Sequence, residues 1–364
     1  MIRKRNPKEP RQVPPVAPAE IRCGAWEEVT GGFSLEQARI EASRCLNCRD
    51  PKCVAACPLH IDIKTYISKL MEDDFAGALE TVAERNPFPD ICGRVCQHEF
   101  YCEKACLLGT KLAPVAIGSL ERFVADFEPP FAERPPERKG SRIALVGSGP
   151  ACLIAAHDLA IKGYRVTIFE ALHELGGVLA YGIPPFRLPR EVLQRQIDKL
   201  RAVGVEFQTN VIVGKSISLK ELFDNGHAAV FVGTGAGLPH MMKIEGENLI
   251  GVYTANEFLT RLNLMRAYEF PQSPTPVRVG RNTVVVGGGN SAMDAARWAR
   301  RLGSETTILF RRGRSELRAR FEEIEHAEDE GVHFEFLAAP VRLIGDEAGA
   351  VREMECIRMP GRAR

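Results

Sequence analysis

Apolar residues recur at helical spacing through "LEQARIEASRCL", and Ser34 with Gln37 forms a capping-box pattern at its start, which predicts a helix. A second helix is predicted to begin near Asp62 and to carry "YISKLMEDDFAGALETVAERN". A third covers "VAIGSLERFVADF", Val115 to Phe127. The proline-rich, charged stretch "EPPFAERPPERKG" then reads as a linker. Beyond it the period changes. Short β-branched runs alternate with helical stretches, the pattern of a parallel α/β sheet. Ile143 to Val146 is a predicted strand, and a second strand ends at Glu170. The plan recurs later, with a strand at Val284 to Val286, a helix over "AMDAARWARRL" and a strand over "TTILF". No internal repeat of solenoid period is visible.

Composition narrows this picture. At about 100–200 residues per domain, the 364 residues imply two or three domains. A formal net charge of +1 gives no global field to recruit nucleic acid or an anionic membrane. The basic, proline-rich start "MIRKRNPKEPRQVPPVAPAE" lacks the apolar core of a signal peptide, and no apolar run approaches the ~20 residues of a membrane span. A cytoplasmic location is expected, where disulfides are rare.

That expectation matters because eight of the eleven cysteines lie between Cys45 and Cys106. The first group is Cys45-x2-Cys48-x4-Cys53-x3-Cys57-Pro58, and the second is Cys92-x3-Cys96-x5-Cys102-x3-Cys106. Structural zinc sites pair short Cys-x2-Cys hooks or add histidines. Here the second group has no such hook, and the first ends in Cys-Pro as bacterial ferredoxin runs do. In two-cluster ferredoxins the fourth cysteine of a run serves the other cluster. By that logic Cys45, Cys48 and Cys53 hold one [4Fe–4S] cluster with a distant cysteine. Cys57 joins members of the later group around a second. Structural zinc, or thiols packed in a core, is the competing reading.

Two glycine turns supply the other chemistry. In "SRIALVGSGPACLIAAHDLAIKGYRVTIFE" the turn Gly147-x-Gly149, with Pro150 and Ala151, opens a helix whose N-terminus suits a pyrophosphate. Glu170, 23 residues after Gly147, stands where an acid accepts ribose hydroxyls. Cys152 occupies the third glycine slot; cysteine is small enough to be tolerated there, but weaker FAD binding is expected. A further pair, Gly176-Gly177, favours FAD over NAD at this site. In the second unit Gly287, Gly288 and Gly289 with Asn290 and Ser291 form the turn. The strand after it ends in Arg311-Arg312, with Arg314, Arg318 and Arg320 behind, which suits the 2′-phosphate of NADPH better than the free ribose of NADH. No Ser/His/Asp or nucleophilic cysteine arrangement stands out, and no catalytic side chain is assigned.

With these residues in view the chain resembles the glutamate synthase small (β) subunit family, which includes the large subunit of NADH-dependent ferredoxin:NADP oxidoreductase and the N-terminal part of dihydropyrimidine dehydrogenase. The motifs that carry the resemblance span nearly the whole chain. They are "EASRCLNCRDPKCVAACP", "ICGRVC", "VAIGSLERFVAD", "GSGPA", "GIPPFRLP", "GTGAG", "GVYTANEFLTRLNLM" and "GGGNSAMDAAR". The resemblance assigns Cys45, Cys48, Cys53 and Cys106 to one cluster and Cys57, Cys96 and Cys102 to the other, whose fourth ligand is Glu121 or Cys92. It also implies that Arg187 and the backbone around Gly235 lie near FAD, and that Arg311 and Arg318 contact the NADP phosphate. Gln97 departs from the proline usual at its position.

The implied architecture is an α-helical, ferredoxin-like Fe–S domain followed by α/β, as two nested Rossmann-like nucleotide-binding domains with the C-terminal part truncated. The expected divisions are an extended N-terminal arm over 1–30, the helical [4Fe–4S] domain over 31–128, a linker over 129–140, an FAD-binding domain over 141–278 and an NADPH-binding domain over 279–364. The two nucleotide-binding domains are expected to be incomplete. The implied function is an NADPH-dependent FAD/iron–sulfur subunit that passes electrons through two [4Fe–4S] clusters to a second redox subunit, the glutamate synthase large subunit. The alternatives are a subunit of an electron-bifurcating ferredoxin:NADP oxidoreductase, working with a small flavoprotein, and a truncated iron–sulfur binding protein without turnover. A hetero-oligomer is expected, with no nucleic-acid or membrane partner.

Overall fold

A computed structural model describes residues 4–127, 137 and 140–360. The expected linker therefore lies almost wholly outside the described residues. Two compact units emerge, interleaved along the chain. One comprises Met1–Ala17, Glu28–Gly176 and Phe186–Gly233, and the other Pro18–Glu27, Gly177–Pro185 and Thr234–Arg364, counted over the described residues. The division at 233/234 falls inside the stretch that the sequence reading gives to FAD binding.

The first unit begins with helices. The arm expected to be extended carries one helical turn, α1 (Ala19–Arg22), in a segment that belongs to the second unit. Next come α2 (Leu35–Ser43), α3 (Lys52–Ala56), α4 (Ile63–Met71), α5 (Phe75–Ala83), α6 (Pro89–Val95) and α7 (Ile117–Phe127). The Ser34 capping box forms as expected, with Ser34 and Gln37 exchanging side-chain and backbone hydrogen bonds. The long helix expected from Asp62 is instead two helices. Asp73 takes a left-handed φ of 59°, and the Asp74 side chain accepts from Gly77 N at 2.9 Å to start α5. Two aspartates together favour a turn and an N-cap over continuing helix. Tyr66, Ile67 and Leu70 of α4 pack with Ala78 and Val82 of α5 and Leu120 and Val124 of α7 in one core. Cys102 is buried in that core, and Cys45, Cys53, Cys57 and Cys106 pack against it.

A parallel sheet completes this unit, in the order β3-β2-β1-β4. Its strands are β1 (Arg142–Val146), β2 (Arg165–Phe169), β3 (Glu206–Gln208) and β4 (His227–Val232). Helix α8 (Pro150–Ile161) crosses from β1 to β2, which pair from Arg142↔Arg165 to Val146↔Phe169. The unit also holds α10 (Arg190–Ala202) and α11 (Leu219–Asp224), whereas α9 (Val178–Tyr181) lies in the other.

The second unit repeats the plan with β5 (Asn282–Val286), α13 (Asn290–Arg301), β6 (Glu305–Phe310), α14 (Phe321–Asp329) and β7 (His333–Phe336). Its three parallel strands run in the order β5-β6-β7. Helix α12 (Ala255–Asn263) precedes them, and an antiparallel hairpin of β8 (Ala338–Gly345) and β9 (Val351–Arg358) follows. The predicted class holds: a helical domain, then two Rossmann-like parallel sheets. No helix among the described residues is long and apolar enough to cross a membrane.

Candidate iron–sulfur and nucleotide sites

Four thiols of the helical domain line one pocket: Cys45, Cys48, Cys53 and Cys106, walled by Ile63, Ile67, Leu108, Val115 and Ile117. Each is positioned by a local break in structure. Arg44, next to Cys45, is buried and clamped by Glu41 Oε1 at 2.6 Å and by the carbonyls of Ala113 and Pro114. Asn47 at φ 53° turns the chain between Cys45 and Cys48. Cys53 sits in α3, and Cys106 caps a single 3₁₀ turn at Leu107–Thr110. Burial, with the neighbouring charges of Cys106 and Cys45, pushes the Cys53 thiol up to about 12. A thiol so raised ionises only with a cation beside it, so the donor chemistry fits a metal cluster. Among the described residues no three His, Cys, Asp or Glu side chains converge on one single-ion position.

In the second group Cys92 and Cys102 lie near Glu121 of α7. Cys96 ends α6, and Cys102 is buried, its thiol raised by burial and then by the charges of Glu103, Glu121, Cys96 and Cys57. Cys92 is raised likewise by burial, then by Glu121 and Cys96. Cys102 is thus within electrostatic reach of Cys57, Cys96 and Glu121, and Cys92 within reach of Cys96 and Glu121. Glu121, 5% exposed on α7, accepts from Asn86 Nδ2 at 2.8 Å and lies 3.6 Å from His98 Nε2. Burial would lower the His98 pKa, but hydrogen bonds to Cys96 and Glu121 raise it to about 10. The His98 ring lies against Gly118, where any Cβ would collide with it. Neither Asn86 nor His98 was singled out by sequence reasoning; the "NPFP" run that positions Asn86 was the available signal.

At the first glycine turn, Gly147 takes φ 101° and Gly149 caps α8, with Pro150 at the first helical position, where its missing N–H costs nothing. A Cβ at Gly149 would meet nothing within 4 Å, so the backbone there is open to a phosphate. The buried Glu170 carboxylate accepts from Ser148 N at 2.8 Å and Leu172 N at 2.9 Å. Ser148 Oγ in turn accepts from Gly176 N at 2.9 Å, so one serine couples the acid to the second glycine pair. The Ser148 hydroxyl donates to the same carboxylate, so about one of its roughly four acceptor sites is left for a ribose hydroxyl. Gly177 takes φ 54°, and Arg187 is buried. Cys152 is fully buried, and its sulfur packs against the Val146 and Gly233 carbonyls.

In the second unit Gly287 takes φ 145° and Gly289 caps α13, again with open space where a Cβ would stand. The Asn290 side chain accepts from Arg320 N at 2.9 Å, and Arg318 N donates to Gly288 O at 2.9 Å. The arginine segment is thereby strapped to the glycine turn, with Ser291 in the first turn of α13. Arg311 and Arg318 are exposed, and Arg312 lies 4.0 Å from Glu316. Arg314 is tied to Glu328 and Arg320 to Glu322. Gly235, at φ 73°, also faces open space.

Comparison with known families matches these two regions separately. Residues 22–131 fit the model described as dihydropyrimidine dehydrogenase domain II, 4Fe-4S cluster. Residues 141–360 fit that of the pyridine nucleotide-disulphide oxidoreductases. The glutamate synthase [NADPH] small chain of Escherichia coli (strain K12) is 33% identical over 352 residues, covering 95% of this chain and 74% of that one. The chain belongs to the glutamate synthase small-chain family. Other relatives of this small-chain protein carry different names. The NADPH-Fe(3+) oxidoreductase subunit beta of Geobacter sulfurreducens is 40% identical over 322 residues, covering 84% of this chain and 45% of that one. The NADP(+)-dependent formate dehydrogenase subunit beta of Moorella thermoacetica is 38% identical over 335 residues, covering 84% and 46%. The chain thus spans about half the length of these two relatives.

Proposed function

We propose that this small-chain protein takes electrons from NADPH and delivers them, through FAD and two [4Fe–4S] clusters, to a second redox subunit. The observation that carries the reading is the pocket shared by Cys45, Cys48, Cys53 and Cys106, with a second set of donors gathered separately around Cys102. In this reading those four thiolates hold one cluster. Cys57, Cys96, Cys102 and Glu121 hold the other, with Cys92 beside them. The turn Gly147–Ala151 and the pair Gly176-Gly177 receive the FAD pyrophosphate at the start of α8. Glu170 accepts a ribose hydroxyl, and Arg187 and the backbone at Gly235 lie near the flavin. Gly287, Gly288, Gly289, Asn290 and Ser291 cradle the NADPH pyrophosphate, and Arg311, Arg312 and Arg318 supply charge for the 2′-phosphate.

Bound FAD and clusters would supply the conversion of a two-electron hydride donor into single electrons. The chain's own task is then positioning. Apolar side chains wall the first thiol group, and the buried acids and thiols set the local field. The domain divisions expected from sequence are kept within this proposal, with the clusters over 31–128, FAD over 141–278 and NADPH over 279–364. For the partner, coverage of 74% of the E. coli glutamate synthase small chain supports a glutamate synthase large subunit. The higher identity to the beta subunits from Geobacter and Moorella supports a second reading, in which a different redox subunit receives the electrons.

Anaerobically purified protein tests the proposal by iron, acid-labile sulfide and flavin content, followed by addition of NADPH. Bleaching of the flavin band by NADPH, with iron and sulfide in equal amounts, is the expected result. Zinc in place of iron, or a flavin band that never bleaches, defeats it. A large amidotransferase co-purifying from the native source supports the glutamate synthase assignment, and a different redox subunit overturns it.

A further inference from the structure

Asn86 stands at the choice between Glu121 and Cys92, and its own orientation is fixed by the backbone. The residue is fully buried between α5 and α6. Phe88 N donates to Asn86 Oδ1 at 3.2 Å, and a backbone N–H can only donate. The amide cannot be flipped without setting two donors face to face, so Nδ2 must point the other way. There it donates to Glu121 Oε1 at 2.8 Å. The Cys92 sulfur approaches the same Oδ1 at 3.7 Å, as an S–H donor. One side chain therefore gives its donor to one candidate ligand and its acceptor to the other.

We propose that Asn86 is a positioning residue of the second cluster, which orients the Glu121 carboxylate for coordination and holds Cys92 out of it. The inference rests on the two-cluster reading above. The Asn86 oxygen that faces Cys92 at 3.7 Å would repel a thiolate placed there, whereas its amide N–H faces Glu121. Glu121, by contrast, remains an acceptor after receiving the Nδ2 hydrogen bond, because each carboxylate oxygen offers further lone pairs. A hydrogen bond to a ligand also draws charge from it and favours the reduced cluster, so Asn86 raises that cluster's potential.

The test uses the whole chain, purified anaerobically, with iron analysis, EPR of the reduced protein and potentiometric titration. Wild type should hold about eight iron atoms per chain; a lower count removes the two-cluster reading itself, before Asn86 is in question. Cys92→Ala should keep the full iron content and an unchanged spectrum. Loss of about half the iron would make Cys92 a ligand and overturn the proposal. Asn86→Asp keeps the acceptor for Phe88 and Cys92 but replaces the donor by an oxygen that repels Glu121. It should lower the midpoint potential of one cluster and alter its EPR signal, leaving the other cluster untouched. Two clusters with wild-type potentials in Asn86→Asp would also overturn the proposal. Cys92→Ala decides alone where the Asn86 variant does not accumulate.

Discussion

The Cys152 sulfur lies 3.7 Å from the Gly233 carbonyl oxygen and 3.5 Å from that of Val146, filling the gap between α8 and the sheet. A Cβ on Gly233 would overlap that sulfur and come within 3.2 Å of the Phe231 ring. The two positions share one small volume, so a larger residue at one requires the smallest at the other. Gly233→Ala should cost about 1–3 kcal/mol by overpacking. Removing the sulfur in Gly233→Ala/Cys152→Ala should recover most of that loss. Denaturant midpoints of the two single variants and the double variant measure the coupling. Strictly additive effects would show that the two residues do not share the space.

Charge replaces packing as the constraint in the second unit. Glu330 is buried and accepts from Arg297 Nη2 at 2.8 Å and Arg301 Nη1 at 2.5 Å, with Arg22 Nε at 3.4 Å. Glu330→Gln removes the carboxylate that these guanidinium groups share, leaving Arg22 with Asp329 and Arg297 with Glu323, and should destabilise the unit by about 3–5 kcal/mol. Burial pushes the Glu330 carboxyl up, but Arg297 and Arg301 outweigh it and hold the group below its ordinary 4.5. A folded value below the unfolded one gives stability that is complete above 4.5 and lost as pH falls through the folded value. Thermal melts followed from neutral to acid pH should therefore decline more steeply in wild type than in Glu330→Gln. Parallel acid limbs would mean that the carboxylate is not linked to folding.

Much of this was legible in advance because it rests on short-range patterns. The Ser34 capping box, the two strand–glycine–helix turns and the cysteine spacings each depend on residues a few positions apart. What the pattern missed depends on distant partners. The helix expected to run unbroken from Asp62 divides at Asp73–Asp74, where a cap outweighs apolar periodicity. Cys152 departs from the glycine motif, and the residue that makes room for its sulfur, Gly233, lies 81 residues away. The same holds for Asn86 and Glu121, and for Arg22, whose ion-pair partners are Asp329 and Glu330. Periodicity cannot announce such pairs, since each residue alone looks ordinary.

Cofactor choice offers a sharper test of the second glycine turn. Arg318 is held beside the turn through its own backbone bond to Gly288 O, whereas Arg314 is committed to Glu328. A charge-assisted contact to a phosphate contributes about 1.5–3 kcal/mol. Arg318→Ala should therefore raise KM for NADPH roughly 10- to 100-fold while leaving the response to NADH nearly unchanged. Arg314→Ala serves as the control, with the preference intact. Flavin reduction followed by stopped flow with each nucleotide measures both. Equal losses with NADPH and NADH in Arg318→Ala would mean that the arginine supports the fold of the turn and not the 2′-phosphate.

Cysteine removal should separate the two thiol groups, because each belongs to one of them while the remaining cysteines belong to neither. Cys53→Ala takes one thiolate from the Cys45, Cys48 and Cys106 pocket, and Cys102→Ala takes one from the group near Glu121. Each should lose one EPR signal and about half the iron, and the surviving signals should differ between the two. Cys23 bonds the Glu330 carbonyl in the second unit at 3.7 Å, and Cys356 is exposed on β9, so their alanine variants should retain full iron. Because the thiols pack against the same core as Tyr66 and Leu120, stripping iron with a chelator should also lower the melting temperature of the helical domain. The second unit should melt as before, which a calorimetric scan resolves as a separate transition. Equal iron loss from Cys23→Ala and Cys53→Ala would mean that the metal is not held where the four thiols meet.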